Sequence, residues 1–102
     1  MSYDPGALEA ALAAAVGDDI ALISDLRGVF LESANHHVDL LGRARCDANW
    51  QLAAWRLKGL AASFGVEGLM ALAEEAATSA PGDPKIVRRI KAALATFELD
   101  SQ

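Results

Sequence analysis

The sequence predicts an all-α protein, an antiparallel up-down four-helix bundle with a short additional helix at its N-terminal end. Helix start and stop signals divide the 102 residues into five segments with very short connections. Apolar residues recur at helical spacing, and no segment alternates as a strand would. The chain is 53% hydrophobic and rich in alanine and leucine. Four substantial helices with tight turns favour antiparallel packing. Residues 1–102 are predicted to form a single domain.

The first two helices are bounded by aspartate, proline and glycine. A cap followed by proline, Asp4-Pro5, starts a short first helix that ends at Gly17. Asp18-Asp19 then starts a long second helix, which we expect to run to about Arg45.

The third and fourth helices follow with almost no connecting sequence. Asp47 is predicted to cap the third helix, which stops at Gly65. The fourth helix is expected to run from Val66 to about Ser79. Such short connections place consecutive helices side by side.

The fifth helix begins after a proline and glycine break. Ala80-Pro81-Gly82 interrupts the chain, and Asp83-Pro84 repeats the cap-then-proline signal for a last helix to about Glu98. This helix contains the only local concentration of basic residues, which is interpreted as an ordinary solvated face. Those residues are Lys85, Arg88, Arg89 and Lys91.

Charge and cysteine content exclude several classes of protein. A formal charge of −5 and a pI near 4.8 argue against a nucleic-acid partner, which normally requires a basic face. No apolar stretch approaches the ~18 residues that span a bilayer, and the N-terminus lacks the features of a signal peptide. The single cysteine, Cys46, cannot form an internal disulfide. We therefore expect a cytoplasmic protein with no membrane partner.

The third helix is apolar on two opposite faces. At about 100° per residue, one face forms a sufficient core stripe. Trp55 points away from that stripe and lies beside Leu52, Gly59 and Ala62. A helix in a bundle needs only one buried face, and Gly59 costs ~1 kcal/mol of helix propensity, so the second face indicates an interaction surface. The predicted core stripe is Trp50, Ala53, Leu57, Leu60, Ala61 and Phe64.

The segment 54–69 resembles the signature helix of histidine-containing phosphotransfer (HPt) domains. In that family a histidine opens the motif, and a lysine and a glycine follow three and four residues later. A second glycine and a leucine come further downstream. Lys58, Gly59, Gly65 and Leu69 all match this pattern, but Trp55 stands at the histidine position.

The resemblance implies a protein of two-component phosphorelays that has lost its phosphate carrier. In the family, an imidazole nitrogen attacks an aspartyl phosphate on a receiver domain. An indole nitrogen is a donor only, so Trp55 cannot hold phosphate. We therefore expect a pseudo-phosphotransfer protein that is not an enzyme. It is expected to bind a response-regulator receiver domain or a histidine kinase, with the positive charge of Lys58 complementing the acidic receiver pocket. The predicted receiver-binding residues are Leu52, Trp55, Arg56, Lys58, Gly59 and Ala62.

Two alternatives remain open from the sequence. The outward apolar face around Trp55 could be the seam of a homodimer or another helical interaction module. The protein could also be an active phosphocarrier that uses His36 or His37, although neither histidine has the downstream lysine and glycine of the motif.

The two histidines have different predicted surroundings on the second helix. His37 shares the apolar stripe and is predicted to be a core-edge histidine that is hydrogen-bonded within the bundle. His36 falls on the polar side with Glu32 and Asp39. Three such ligands on one helix face, without cysteine or a second histidine, are a weak metal signal. We predict a solvated charged face there, with no metal and no cofactor.

Overall fold

The predicted all-α fold is confirmed in its coarse form. The computed structural model describes the backbone of residues 5–17 and 19–100, and the side chains of residues 10–17 and 19–97. No strand occurs among these residues, and five helices are present. They are α1 (Pro5–Val16), α2 (Ile20–Arg43), α3 (Asp47–Ser63), α4 (Glu67–Thr78) and α5 (Pro84–Asp100).

Most helix ends lie within two residues of their predicted positions. Asp19 is the N-cap of α2, and its carboxylate accepts a hydrogen bond from the Leu22 N–H at 3.0 Å. Asp83 likewise accepts from the Lys85 N–H at 2.9 Å at the start of α5. Proposed caps at Asp4 and Asp18 lie outside the described residues.

The start of α3 differs from the prediction. Cys46 is the N-cap residue, its backbone is extended, and its side chain makes no capping hydrogen bond. Asp47, predicted as the cap, is the first helical residue. Its charge lies in the first turn of the helix, where a carboxylate favourably offsets the positive end of the helix dipole.

Gly65 ends α3 for a conformational reason. Its φ of +70° is in the left-handed region, and its N–H donates to the Ala62 carbonyl at 3.2 Å. The next N–H, that of Val66, donates to the Ala61 carbonyl at 2.9 Å. This pair of bonds is a Schellman motif, which satisfies two carbonyls at the helix end. A Cβ at Gly65 would also lie only 3.2 Å from the Cβ of Ala11 on α1.

The helices enclose one hydrophobic core. Phe30 lies at its centre, with its ring 5.0 Å from that of Phe64 and 6.2 Å from that of Phe97. The indole N–H of Trp50, only 1% exposed, donates to the Ala76 carbonyl at 2.6 Å and so joins α3 to α4. The other large side chains with almost no exposure are Val38, Leu41, Leu57, Leu69, Leu72, Ile90 and Leu94.

The contacts between helices leave one side of α3 uncovered. α3 packs against α2 and α4, α5 packs against α4 and α2, and α1 packs against α2 and α5. The remaining face of α3 is therefore available to solvent. Within the part of the chain that the structure describes, no helix is both long enough and apolar enough to cross a membrane.

Candidate functional site

α3 exposes the second apolar face that its sequence indicates. Trp55 is 54% exposed and Leu52 is 49% exposed, and both Gly59 and Ala62 are exposed beside them. We call these four residues the α3 surface. Trp55 is therefore neither buried under α1 nor folded into the core.

The opposite face of α3 forms part of the core, largely as predicted. Trp50, Ala53, Leu57 and Ala61 are buried. The predicted stripe is incomplete in one respect, because Ala54 is also fully buried. Its small side chain fits at the edge of the stripe, where the pattern alone does not separate buried from exposed positions. Leu60 and Phe64, also predicted, are half-buried and pack against the core.

Gly59 contributes a low point to the α3 surface. A Cβ built at this position would have no neighbour within 4 Å, and its backbone is not in the positive-φ region. Neither packing nor backbone conformation therefore requires glycine here. Alanine would favour the helix by ~1 kcal/mol, so the fold itself gives no reason for glycine at this position.

Lys58 is held by two neighbours at one edge of the α3 surface. Its ammonium lies 4.5 Å from the centroid of the Trp55 ring, a cation–π geometry. The same Nζ lies 3.2 Å from Oε1 of Glu74 on α4. The i, i+3 spacing of Trp55 and Lys58 is visible in the sequence. The role of Glu74 is not, because it depends on how α3 and α4 pack.

Arg56 lies at the other edge of the α3 surface, beside α2. It lines an open groove of about 340 Å³ between α2 and α3. Leu40 and Leu52 are the two exposed aliphatic side chains of this groove. The remaining lining residues are Arg43, Ala44, Asn49 and Ala53. Sequence reasoning found Leu52 and Arg56 but missed the residues of α2, which only the packing of α2 against α3 brings alongside.

His37 occupies the predicted core edge but lacks one predicted interaction. Its Nδ1 is buried and has no hydrogen-bond partner among the described residues, so the prediction of a bonded histidine is wrong for this atom. Burial lowers the pKa of His37, and the nearby charges of His36 and Arg56 lower it further. Its ring centroid is 5.7 Å from that of His36, which is exposed as predicted.

The other candidate residues lie on exposed helix faces. Among the described residues, no three histidine, cysteine, aspartate or glutamate side chains lie close enough to hold a metal ion, which includes Glu32, His36 and Asp39. Asp39 instead pairs with Arg43 at 3.2 Å. The basic residues of α5 are exposed, as predicted for a solvated face.

Comparison with protein-family models, curated proteins and solved structures finds no match to this chain.

Proposed function

We propose that this protein is a pseudo-phosphotransfer domain that binds a response-regulator receiver domain of a cytoplasmic two-component phosphorelay through the α3 surface. The observation that supports this most strongly is Trp55, a large exposed side chain at the position where the resemblance expects a phosphorylated histidine. Lys58 and Gly59 follow it at the spacing of the HPt motif.

The architecture that we propose is an antiparallel up-down four-helix bundle formed by α2 to α5. Each of these helices contacts its two neighbours in the ring α2, α3, α4 and α5. The long axis of 43 Å accommodates the 24 residues of α2, about 36 Å at 1.5 Å per residue. The 21 × 19 Å cross-section suits two helices in each direction at axis separations of about 8–10 Å.

The chemistry of the α3 surface supports binding without phosphate transfer. The Trp55 indole has no nitrogen lone pair free for attack on phosphorus. Its exposed ring can enter an apolar or aromatic-lined recess on a partner, and buried tryptophans are frequent interface anchors. In the proposed complex the ring lies at the mouth of the receiver pocket and sterically separates the receiver aspartate from any phosphate acceptor. Such a protein would compete with active phosphotransfer partners for the receiver.

The proposal is tested by binding of the purified protein to a panel of receiver domains from its own organism. Each receiver is measured by biolayer interferometry with and without beryllofluoride, which mimics the aspartyl phosphate. We expect selective binding to one or a few receivers, with a loss of affinity in Trp55→Ala. An absence of binding across the panel by protein with full helical circular dichroism would contradict the proposal.

A second function, self-association, is favoured by the area of exposed apolar side chains. Leu40, Leu52 and Trp55 together form a surface that a second copy could cover. Sedimentation velocity over a range of concentrations separates the two functions. A dimer that Trp55→Ala dissociates, combined with no receiver binding, would favour self-association.

A further inference from the structure

The three cations around the α3 surface differ in whether a carboxylate lies within ion-pair distance of them. Lys58 pairs with Glu74, and Arg43 pairs with Asp39. Among the described residues, no carboxylate lies within ion-pair distance of Arg56. Of these three cations, Arg56 is the one without a carboxylate partner among the described residues.

The groove beside Arg56 is suited to an aliphatic side chain. Leu40 and Leu52 line it, and Ala53 is buried at its base. Its volume of about 340 Å³ exceeds that of a leucine or isoleucine side chain. A single segment of a partner that enters the groove can therefore place an anion at Arg56 and an apolar group between the two leucines.

We propose that the groove between α2 and α3 binds an acidic segment of the partner protein, with a partner carboxylate on Arg56 and a neighbouring aliphatic side chain between Leu40 and Leu52. This inference rests on the proposed docking function and names the chemistry that the partner presents. It also revises the expectation that Lys58 meets the acidic group. Lys58 is a positioning residue, because Glu74 holds it against the Trp55 ring.

Charge complementarity is the reason for choosing a carboxylate. A guanidinium binds a carboxylate through two parallel hydrogen bonds, and such charge-assisted bonds are stronger than neutral ones. The whole chain is acidic, with a formal charge of −5, so a general attraction for acidic partners is absent. Recognition of an acidic segment is therefore assigned to a local cation that lines the groove, Arg56, and not to the net charge.

The pKa of His37 is a measurement that should change when a carboxylate binds Arg56, and that should not change if Arg56 only stabilises the fold. Arg56 contributes to the lowered pKa of His37. A partner carboxylate on Arg56 would offset that positive charge, so the pKa of His37 should rise when the groove is occupied. Among the described residues, His36 on α2 and Arg56 on α3 are the charged or titratable neighbours that lower it.

The test uses two small probes, acetyl-leucyl-aspartate amide and its neutral control acetyl-leucyl-asparagine amide. Each is titrated at millimolar concentration into isotope-labelled protein, and NMR follows the amide shifts and the His37 ring pKa. Arg56→Gln is compared with Arg88→Gln and Lys91→Gln, which remove the same charge from exposed positions on α5 that do not line the groove. We expect the aspartyl probe to shift Leu40, Leu52 and Arg56 and to raise the His37 pKa.

The variants decide whether Arg56 is responsible. Arg56→Gln should abolish the preference for the aspartyl probe and lower affinity for a receiver from the panel by about tenfold, ~1.4 kcal/mol. The two control variants should retain both. Equal loss in all three variants, shifts centred on Lys58 and Glu74, or no shifts with either probe would overturn the inference. A receiver that binds through Trp55 with no dependence on Arg56 would refute it and leave the docking function standing. Arg56-dependent probe binding without any receiver binding would support the inference about the groove and refute the docking function.

Discussion

Replacement of Trp55 by alanine separates binding from folding most clearly. Trp55 is 54% exposed in the free protein. An aromatic side chain of this class contributes about 150–250 Å² of surface, so about 80–130 Å² is available to a partner. At ~25 cal/mol per Å², covering that area is worth about 2–3 kcal/mol. The rigid-body cost of association is the same for both proteins and cancels in the comparison. We therefore expect Trp55→Ala to weaken receiver binding about 30- to 150-fold.

The same substitution should hardly change the stability of the fold. Trp55 has one specific contact among those described, the cation–π interaction with Lys58, worth ~0.5–1 kcal/mol at an exposed site. Alanine is the better helix former by ~0.5 kcal/mol, which offsets most of that loss. Urea denaturation should therefore give a free energy of unfolding within ~1 kcal/mol of wild type, while interferometry shows the loss of affinity.

Trp50 provides a matched control on the same helix. Trp50→Phe removes the buried hydrogen bond to the Ala76 carbonyl and leaves unfilled space in the core. We expect it to lower the free energy of unfolding by ~2 kcal/mol, without loss of receiver affinity at a temperature where it is folded. Equal affinity of Trp55→Ala and wild type for the receiver would refute the reasoning, as would a larger loss of affinity in Trp50→Phe.

Three further predictions concern pH, the helix surface and the lost chemistry. Because the pKa of His37 is lowered by burial, then by His36 and Arg56, the unfolded chain binds a proton there more readily than the folded chain. The free energy of unfolding should therefore stay constant above pH 6.5, the ordinary pKa of histidine, and decrease as the pH falls below it. Denaturation at several pH values should show that His37→Leu flattens this dependence, whereas His36→Gln retains most of it. Gly59→Ala should raise the free energy of unfolding by ~0.5–1 kcal/mol, because there is open space for a Cβ. A lower free energy of unfolding for this variant, measured by urea denaturation, would contradict the prediction. Trp55→His should accept acid-labile phosphate from a phosphorylated receiver in a radiolabel assay, since Lys58 and Gly59 are retained; no label would mean that the surface lacks another required feature.

Local signals predicted the helices well because helix ends are determined by adjacent residues. Asp19 and Asp83 cap their helices through side-chain oxygens, and Gly65 ends α3 because it adopts a positive φ. The opposite environments of Trp50 and Trp55 also follow from helical periodicity, since two side chains five positions apart on a helix point about 140° away from each other.

The contacts around the α3 surface were less predictable because they join different helices. Glu74 lies 16 residues beyond Lys58 in the sequence, and only the packing of α4 brings it within 3.2 Å. Leu40 reaches the groove because of the position of α2 against α3. Sequence also gave no sign that Nδ1 of His37 has no hydrogen-bond partner among the described residues, since a stripe position indicates burial but not which polar atoms lie nearby.

The most direct test of the account uses a receiver domain from the panel that carries radiolabelled aspartyl phosphate. The receiver is mixed with the wild-type chain, the complex is isolated by size-exclusion chromatography, and its two proteins are separated to locate the label. The account predicts a stable complex with the label on the receiver alone and no acid-labile phosphate on the chain. Label on His36 or His37 would contradict it and identify an active phosphocarrier, and the absence of a complex would remove the receiver as the partner.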